Sequence, residues 1–205
     1  MSSKLAAFLL CLLLFPIALF SQFRKYSNEF LNIGAGARGL AMGGAQVASV
    51  KDGTAGYWNP AGLIGVKDHP QINLMHAEYF AGIGKYDFGS LAIPIQNNNR
   101  TLGLSILRFA VDDIPNTLFL VQPDGSIDYG SITSFSSADY AMLFSFAQKV
   151  VDKEDKVISF GVNAKVIHRK VGQFATAWGF GVDAGVQMHG KRWHLGVVVK
   201  DLSST

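Results

Sequence analysis

From residue 71 to residue 201 the chain is governed by a period of two. Over residues 140–150 the even positions carry Tyr140, Met142, Phe144 and Phe146, and the odd positions Ala141, Leu143, Ser145, Ala147 and Lys149. Over 157–170, Ile158, Phe160, Val162, Ala164 and Val166 oppose Ser159, Gly161, Asn163 and Lys165. Over 175–189, Trp178, Phe180, Val182, Val186 and Met188 oppose Gly179, Gly181, Asp183, Gly185 and Gln187. Side chains alternate between faces only in extended backbone, so each stretch reads as a strand with one oily and one small face. Residues 193–200 and 101–106 repeat the pattern. Residues 71–81 and 86–96 alternate less cleanly, which a bulge or packing against another part of the protein explains. Seven strands are expected.

Strands of about 10 to 15 residues exceed the usual 5–6 of soluble sheets and match the ~9–11 tilted residues that cross a hydrocarbon layer. Short connections at 97–99, 152–155 and 190–192 alternate with more variable ones, the longest being 112–138. That is the layout of an all-β antiparallel transmembrane β-barrel, with Tyr140, Trp178 and Trp193 as candidate interfacial aromatics. A soluble sandwich is the alternative. It predicts outer faces rich in Lys, Glu and Thr, whereas the faces opposite the oily ones here are Gly, Ala and Ser, suited to a lumen with something packed in it. Single-chain barrels have at least eight strands and an even number; seven imply a missed strand or a partial barrel.

Residues 5–20 form an uncharged apolar run after Lys4 and before Ser21-Gln22. This reads as a signal peptide over 1–21, cleaved near Gln22, rather than as a membrane helix, for which it is short and interrupted by Pro16. Export through the inner membrane follows. The only cysteine, Cys11, goes with the signal, so the mature chain has no disulfide, thiolate metal site or cysteine nucleophile. Charged residues make up 16% and the net charge is +3, too small and scattered for a nucleic-acid footprint.

Residues 30–69 have a different texture, glycine-rich and without alternation. Gly34-x-Gly36-x-x-Gly39 formally matches a dinucleotide fingerprint, but no βαβ unit follows it. The run 37–45 (Ala-Arg-Gly-Leu-Ala-Met-Gly-Gly-Ala), followed by Ala48, Asp52, Ala55 and Tyr57-Trp58-Asn59-Pro60-Ala61-Gly62-Leu63, resembles the N-terminal region of the PorV/PorQ family of Bacteroidetes outer-membrane proteins. More distantly it is similar to the FadL fatty-acid transporters. The resemblance implies a cell outer membrane location, a plug segment over 22–69, and barrel strands over 70–205. It also implies a barrel of about fourteen strands, of which this chain, ending mid-pattern, would carry the N-terminal half. Arg38, Gly43, Gly44, Trp58, Asn59, Pro60, Ala61 and Gly62 are the plug and hinge motif under this likeness. Pro60 forces Asn59 out of helix, and Gly43, Gly44, Ala45 and Ala48 are expected to rest against Gly161, Gly179, Gly181 and Gly185.

No chemistry of catalysis is legible. His69, His76, His168, His189 and His194 lack metal-ligand spacing, no Gly-x-Ser-x-Gly elbow occurs, and the acidic residues of 112–128 lack an EF-hand series. No enzyme activity and no cofactor are expected. The resemblance points to an accessory of the type IX secretion system, with secreted cargo proteins or translocon components as partners and outer-membrane lipid around it. Ile114, Leu118, Phe119, Leu120 and Val121 would form its partner-binding loop. The alternatives are a transporter of hydrophobic small molecules, with Lys165 and Arg38 as the candidates for contact with a carboxylate head, and a non-functional barrel fragment.

Overall fold

The computed structural model describes residues 28–153 and 155–202. The expected signal peptide, Cys11 and the start of the mature chain near Gln22 lie outside them. All seven expected strands are present: β1 (Gln71–Tyr79), β2 (Gly84–Ile95), β3 (Arg100–Asn116), β4 (Thr133–Lys153), β5 (Lys156–Val171), β6 (Ala175–Gly190) and β7 (His194–Val199). They form one antiparallel sheet in sequence order, each strand paired with the next. The sheet is not closed; β1 and β7 are its two edges. What the chain shows of the expected barrel is therefore an all-β antiparallel meander.

Two expectations about local structure are corrected. The connection read over 112–138 is shorter than expected, because β3 and β4 continue into it from both ends and leave a loop of 117–132. The pairing shifts register between Val111 and Ile114, with Asp113 at φ 55°. Such a bulge inserts residues on one strand and breaks the alternation, which is why the pattern appears to stop there. Ile114 consequently sits in β3, opposite Phe135. No shift interrupts β1 and β2, whose pairing runs unbroken from Gln71–Ala92 to Tyr79–Gly84. Their untidy alternation comes from packing instead. Tyr86 and Phe88 turn inward and join Phe30, Tyr57, Leu107 and Leu143 in a buried cluster.

The two faces of the sheet differ in what they expose. The outer face exposes its oily residues, with Leu74 at 84%, Phe180 at 64%, Val197 at 65% and Val182 at 43%. A two-layer sandwich would have buried them. The inner face carries residues 28–70, folded as two short helices, α1 (Ala37–Ala41) and α2 (Ala55–Trp58), and two 3-10 segments, Glu29–Asn32 and Pro60–Gly65. Among the described residues no helix is long and apolar enough to cross a membrane. The inner segment is organised around Trp58, whose indole Nε1 donates to Ala35 O at 2.8 Å. A Cβ on Gly39 would lie 2.6 Å from the indole ring, so α1 approaches Trp58 through its glycine. The fingerprint-like glycines thus serve packing.

Glycine also lets the segment lie directly on the sheet. A Cβ at Gly161 would fall 2.4 Å from the backbone of Pro60 and Ala61. Gly161→Ala is expected to cost about 1–3 kcal/mol by overpacking, whereas Gly89→Ala, whose Cβ would meet only Leu74 at 3.5 Å, should stay within about 0.5 kcal/mol. Comparison of unfolding midpoints in denaturant checks this; equal midpoints would show that the segment is not seated on β5.

Candidate functional site

The inner segment is held at one point above all, Asn59. Its backbone is extended (φ −158°, ψ 108°), as Pro60 requires. Its side-chain Oδ1 accepts from Ala61 N at 3.1 Å, while Nδ2 donates to Val47 O at 2.8 Å and Val186 O at 3.2 Å. Asn59 is fully buried, so all three bonds are made away from water, where an unmade one is most expensive. The Asn-Pro pair is therefore the anchor of the segment on β6, not a free joint before β1. Gln187 assists by donating to Val47 O at 2.8 Å, and Ser159 donates to Ala61 O at 2.9 Å.

Next to this seat lies a buried charge cluster. Lys165 Nζ is 2.8 Å from Asp183 Oδ1 and 2.5 Å from Asp201 Oδ1, and the Lys165 and Asp183 side chains are each only 3% exposed. Asp201, at φ 55°, bends the chain after β7 inward and donates its N–H to Asp183 Oδ1 at 3.0 Å. Asn163 ties the cluster to the inner segment by donating to Gly56 O at 2.7 Å and Asp183 Oδ2 at 3.2 Å. Lys200 stands over the Tyr57 ring, 5.0 Å from its centroid. The Tyr57 hydroxyl donates to Leu31 O and accepts from Gly34 N at 2.9 Å. Burial pushes its pKa up to about 12, against a smaller opposing effect of the Gly34 bond.

The rims differ too. The connections at 97–99, 152–155 and 190–192 are polar, with Lys191 paired to Asp155. The opposite rim presents apolar tips. Leu118, Phe119 and Val121 are 65–70% exposed, joined by Ile127 and Tyr129 of the same loop, Phe80 and Ile83 of the β1–β2 turn, and Phe174 of the β5–β6 turn. The 117–132 loop is ordered by its own bonds. Val121 bridges Ile127, Asp128 N donates to Leu120 O at 2.9 Å, and Ser131 Oγ donates to Phe119 O at 2.7 Å. Asp124 Oδ1 accepts from Ser126 N and Oγ, and those bonds hold its carboxyl below the usual aspartate range.

On the outer face one lateral row stands apart. His76, Asp87, Arg108, Tyr140, His168 and Trp178 are successive cross-strand partners from β1 to β6. Asp87 takes His76 Nδ1 at 2.6 Å and Arg108 Nη1 at 3.0 Å. Tyr140 and His168 rings lie 6.2 Å apart, and His168 and Trp178 4.2 Å.

Of the residues expected from the sequence, Trp58, Asn59, Pro60, Ala61 and Gly62 come together at the seat. Gly43 and Gly44 lie off the seat at positive φ in a turn after α1: a Cβ at Gly44 would meet the Trp58 ring at 3.4 Å, and nothing lies within 4 Å of a Cβ at Gly43. The glycines that receive the segment are Gly161 and Gly185, under Asn59 to Ala61, and Gly196, under Val47 and Ala48. Gly181 faces Lys165 and Asp201 instead. Arg38 is exposed on α1, while Lys165 is buried between two carboxylates. Asp183, Asn163 and the outer row escaped sequence reading. Asp183 and Asn163 stood in the alternation as inner-face polar residues, which was a signal; the row exists only once register is known.

Lys165→Met leaves Asp183 buried and unpaired and is expected to destabilise by about 3–5 kcal/mol, while Lys165→Met with Asp183→Leu recovers most of that; unfolding of the three variants side by side measures it. Tyr57 should titrate at about 12. Because its folded pKa is raised, its contribution to stability is whole below the ordinary tyrosine value and is lost as pH rises through the folded one. Ultraviolet difference titration of the wild type against Tyr57→Phe reads the midpoint directly. Comparison with protein-family models, characterised proteins and solved structures gave no match.

Proposed function

We propose that this chain is part of an outer-membrane β-barrel whose lumen is closed by residues 28–70, and that it serves as an accessory of protein secretion of the PorV/PorQ kind, docking partners on its apolar rim. The observation that carries this reading is the exposed oily outer face. Between the row His76–Trp178 and the level of Arg100 and Gln148, the outward positions of β3 are Leu102, Leu104 and Ile106, and those of β4 are Met142, Phe144 and Phe146. Arg100 and Arg108 are eight residues apart on one strand, about 26 Å at a strand rise of ~3.3 Å. A tilt of ~35–45° reduces that to a height of about 20 Å, close to the ~25 Å apolar band of such barrels. The outer row then supplies the polar and aromatic border of the band.

A sheet edge in lipid leaves backbone groups unpaired at several kcal/mol each, so this reading requires further strands against β1 and β7. The same resemblance supplies them. Docking is favoured over transport by the inner face. Lys165 is already neutralised by Asp183 and Asp201, and the two cavities bordering the inner segment measure about 70 and 140 Å3, below the ~300–1,000 Å3 of small-molecule sites. The apolar tips of 117–132 instead match the composition of protein contacts.

Replacing 117–132 by a tight turn tests the function. The expected result is loss of cargo secretion with the chain still inserted in the outer membrane. Unchanged secretion with reduced uptake of hydrophobic compounds would replace docking by transport.

A further inference from the structure

The formal charge of the chain is +3, but the fold sorts its charges by end. Between Arg108 and Lys149 the sequence holds five aspartates and no Lys, Arg or His. That stretch runs up β3, through the 117–132 loop and back down β4. Bases gather at the other end of the sheet, where Arg100, Lys149, Lys156, Lys191 and Arg192 flank the short turns. Two of the five aspartates are neutralised, Asp112 by Lys85 at 2.9 Å and Asp139 by a two-pronged pair with Arg169. Asp113, Asp124 and Asp128 are left. All three are exposed, and among the described residues no ion pair joins any of them to a base. Lys170, exposed near the end of β5, offsets a single one of these charges.

The carboxylates are interleaved with the oily tips of the same rim. Residues 120–128 form a small hairpin, closed by the Val121–Ile127 bridge and by Asp128 N donating to Leu120 O, with Asp124 in its turn. Val121 and Ile127 are its cross-strand pair, Phe119 and Tyr129 flank them, and all four are 57–72% exposed. The bonds that order this loop are internal to it, so a partner meets a surface already shaped and loses little affinity to ordering it. Apolar tips alone would accept any oily surface. The unpaired carboxylates decide between surfaces, because they repel an acidic one, an anionic lipid head included, and attract a basic one.

We propose that the long-loop rim docks a polypeptide segment that mixes apolar side chains with Lys or Arg. Its apolar side chains rest on Phe119, Val121, Ile127 and Tyr129, and its cations meet Asp124 and Asp128. The inference deepens the docking reading given above and rests on it.

The test places the full chain in discs of a zwitterionic lipid, with empty discs subtracted, against a short peptide alternating leucine and lysine. Two counterparts carry glutamate for lysine and serine for leucine. The leucine-lysine peptide should be retained about tenfold more tightly than either counterpart, and its affinity should fall with added salt. Asp124→Asn with Asp128→Asn keeps the oxygens that accept from Ser126 and Gly130, so it removes charge and leaves the loop ordered. This double variant should weaken retention about tenfold and flatten the salt dependence, whereas Phe119→Ser should weaken it about tenfold with the salt dependence kept. Asp155→Asn on the opposite rim should change nothing. Equal retention of the lysine and glutamate peptides by the wild type, or wild-type retention by the double variant, overturns the proposal. The secretion assay separates the two failures. Secretion lost on replacing 117–132, with no preference for the lysine peptide, removes only this partner chemistry, whereas unchanged secretion removes docking itself.

Discussion

Residues 59–61 lie directly on the backbone of β5, through the main chain of Pro60 and Ala61, and of β6, through the Asn59 side chain and the Pro60 ring, and this contact dictates the rest. It is possible only because Gly161 and Gly185 carry no side chains; a Cβ at either would fall within 2.4 Å of the inner segment. Once small residues are committed to the inner face, the alternation of the strand assigns the large ones to the other side. One periodicity therefore accounts both for the seat of the segment and for the oily exterior. The two are not independent features, and a slip of register by one residue would exchange them.

Small residues alone would give a loose seat, and polar groups fix it. Asn163, Ser159 and Gln187 each donate from a buried side chain of the sheet to a backbone carbonyl of the inner segment, and Asn59 donates from the segment to Val186 O of β6. The carbonyls of the inner segment belong to a stretch with little regular structure, so they lack partners of their own and must find them on the sheet wall. Lys165 and Asp183 extend the same logic to charge. Two ions held together out of water add little net stability, but they are costly to separate, and Asp201 closes the set by drawing the chain after β7 over them. Such a cluster favours one arrangement of β5, β6 and β7 over its neighbours in register.

The number of strands, their order and the sidedness of β4, β5 and β6 are legible in the sequence because nothing interrupts the period there. Legibility fails where the period is broken or where two elements meet. The bulge at Asp112 and Asp113 hides the length of β3 and β4. Tyr86 and Phe88 blur β2 because the inner segment offers Tyr57 to pack against, a fact of tertiary structure. Asn59 and Pro60 were recognisable as special, but their partners were not. Which glycine faces which residue depends on where the segment lies on the sheet, and Gly196 with Ala48 replaces the expected pairing of Gly43 and Gly44 with the wall. The row from His76 to Trp178 spans about a hundred residues of chain and becomes visible only when five pairings are known together.

Under the barrel reading proposed above, the open edges constrain what can complete the sheet. Seven strands in antiparallel order leave β1 and β7 pointing the same way. A second copy related by an axis along the strands would bring β7 of one beside β1 of the other in parallel, at both seams. Short hairpin turns cannot join parallel strands, and a parallel ladder pairs slightly less stably per residue. An axis across the strands would pair like edges antiparallel but would invert one copy, setting its apolar loop tips on the polar rim of the other. An odd number of further antiparallel strands meets both edges correctly and brings the total to the even count that closed barrels have. Parity thus favours completion by more strands over completion by a twin, on the same geometric grounds that fix the sheet itself.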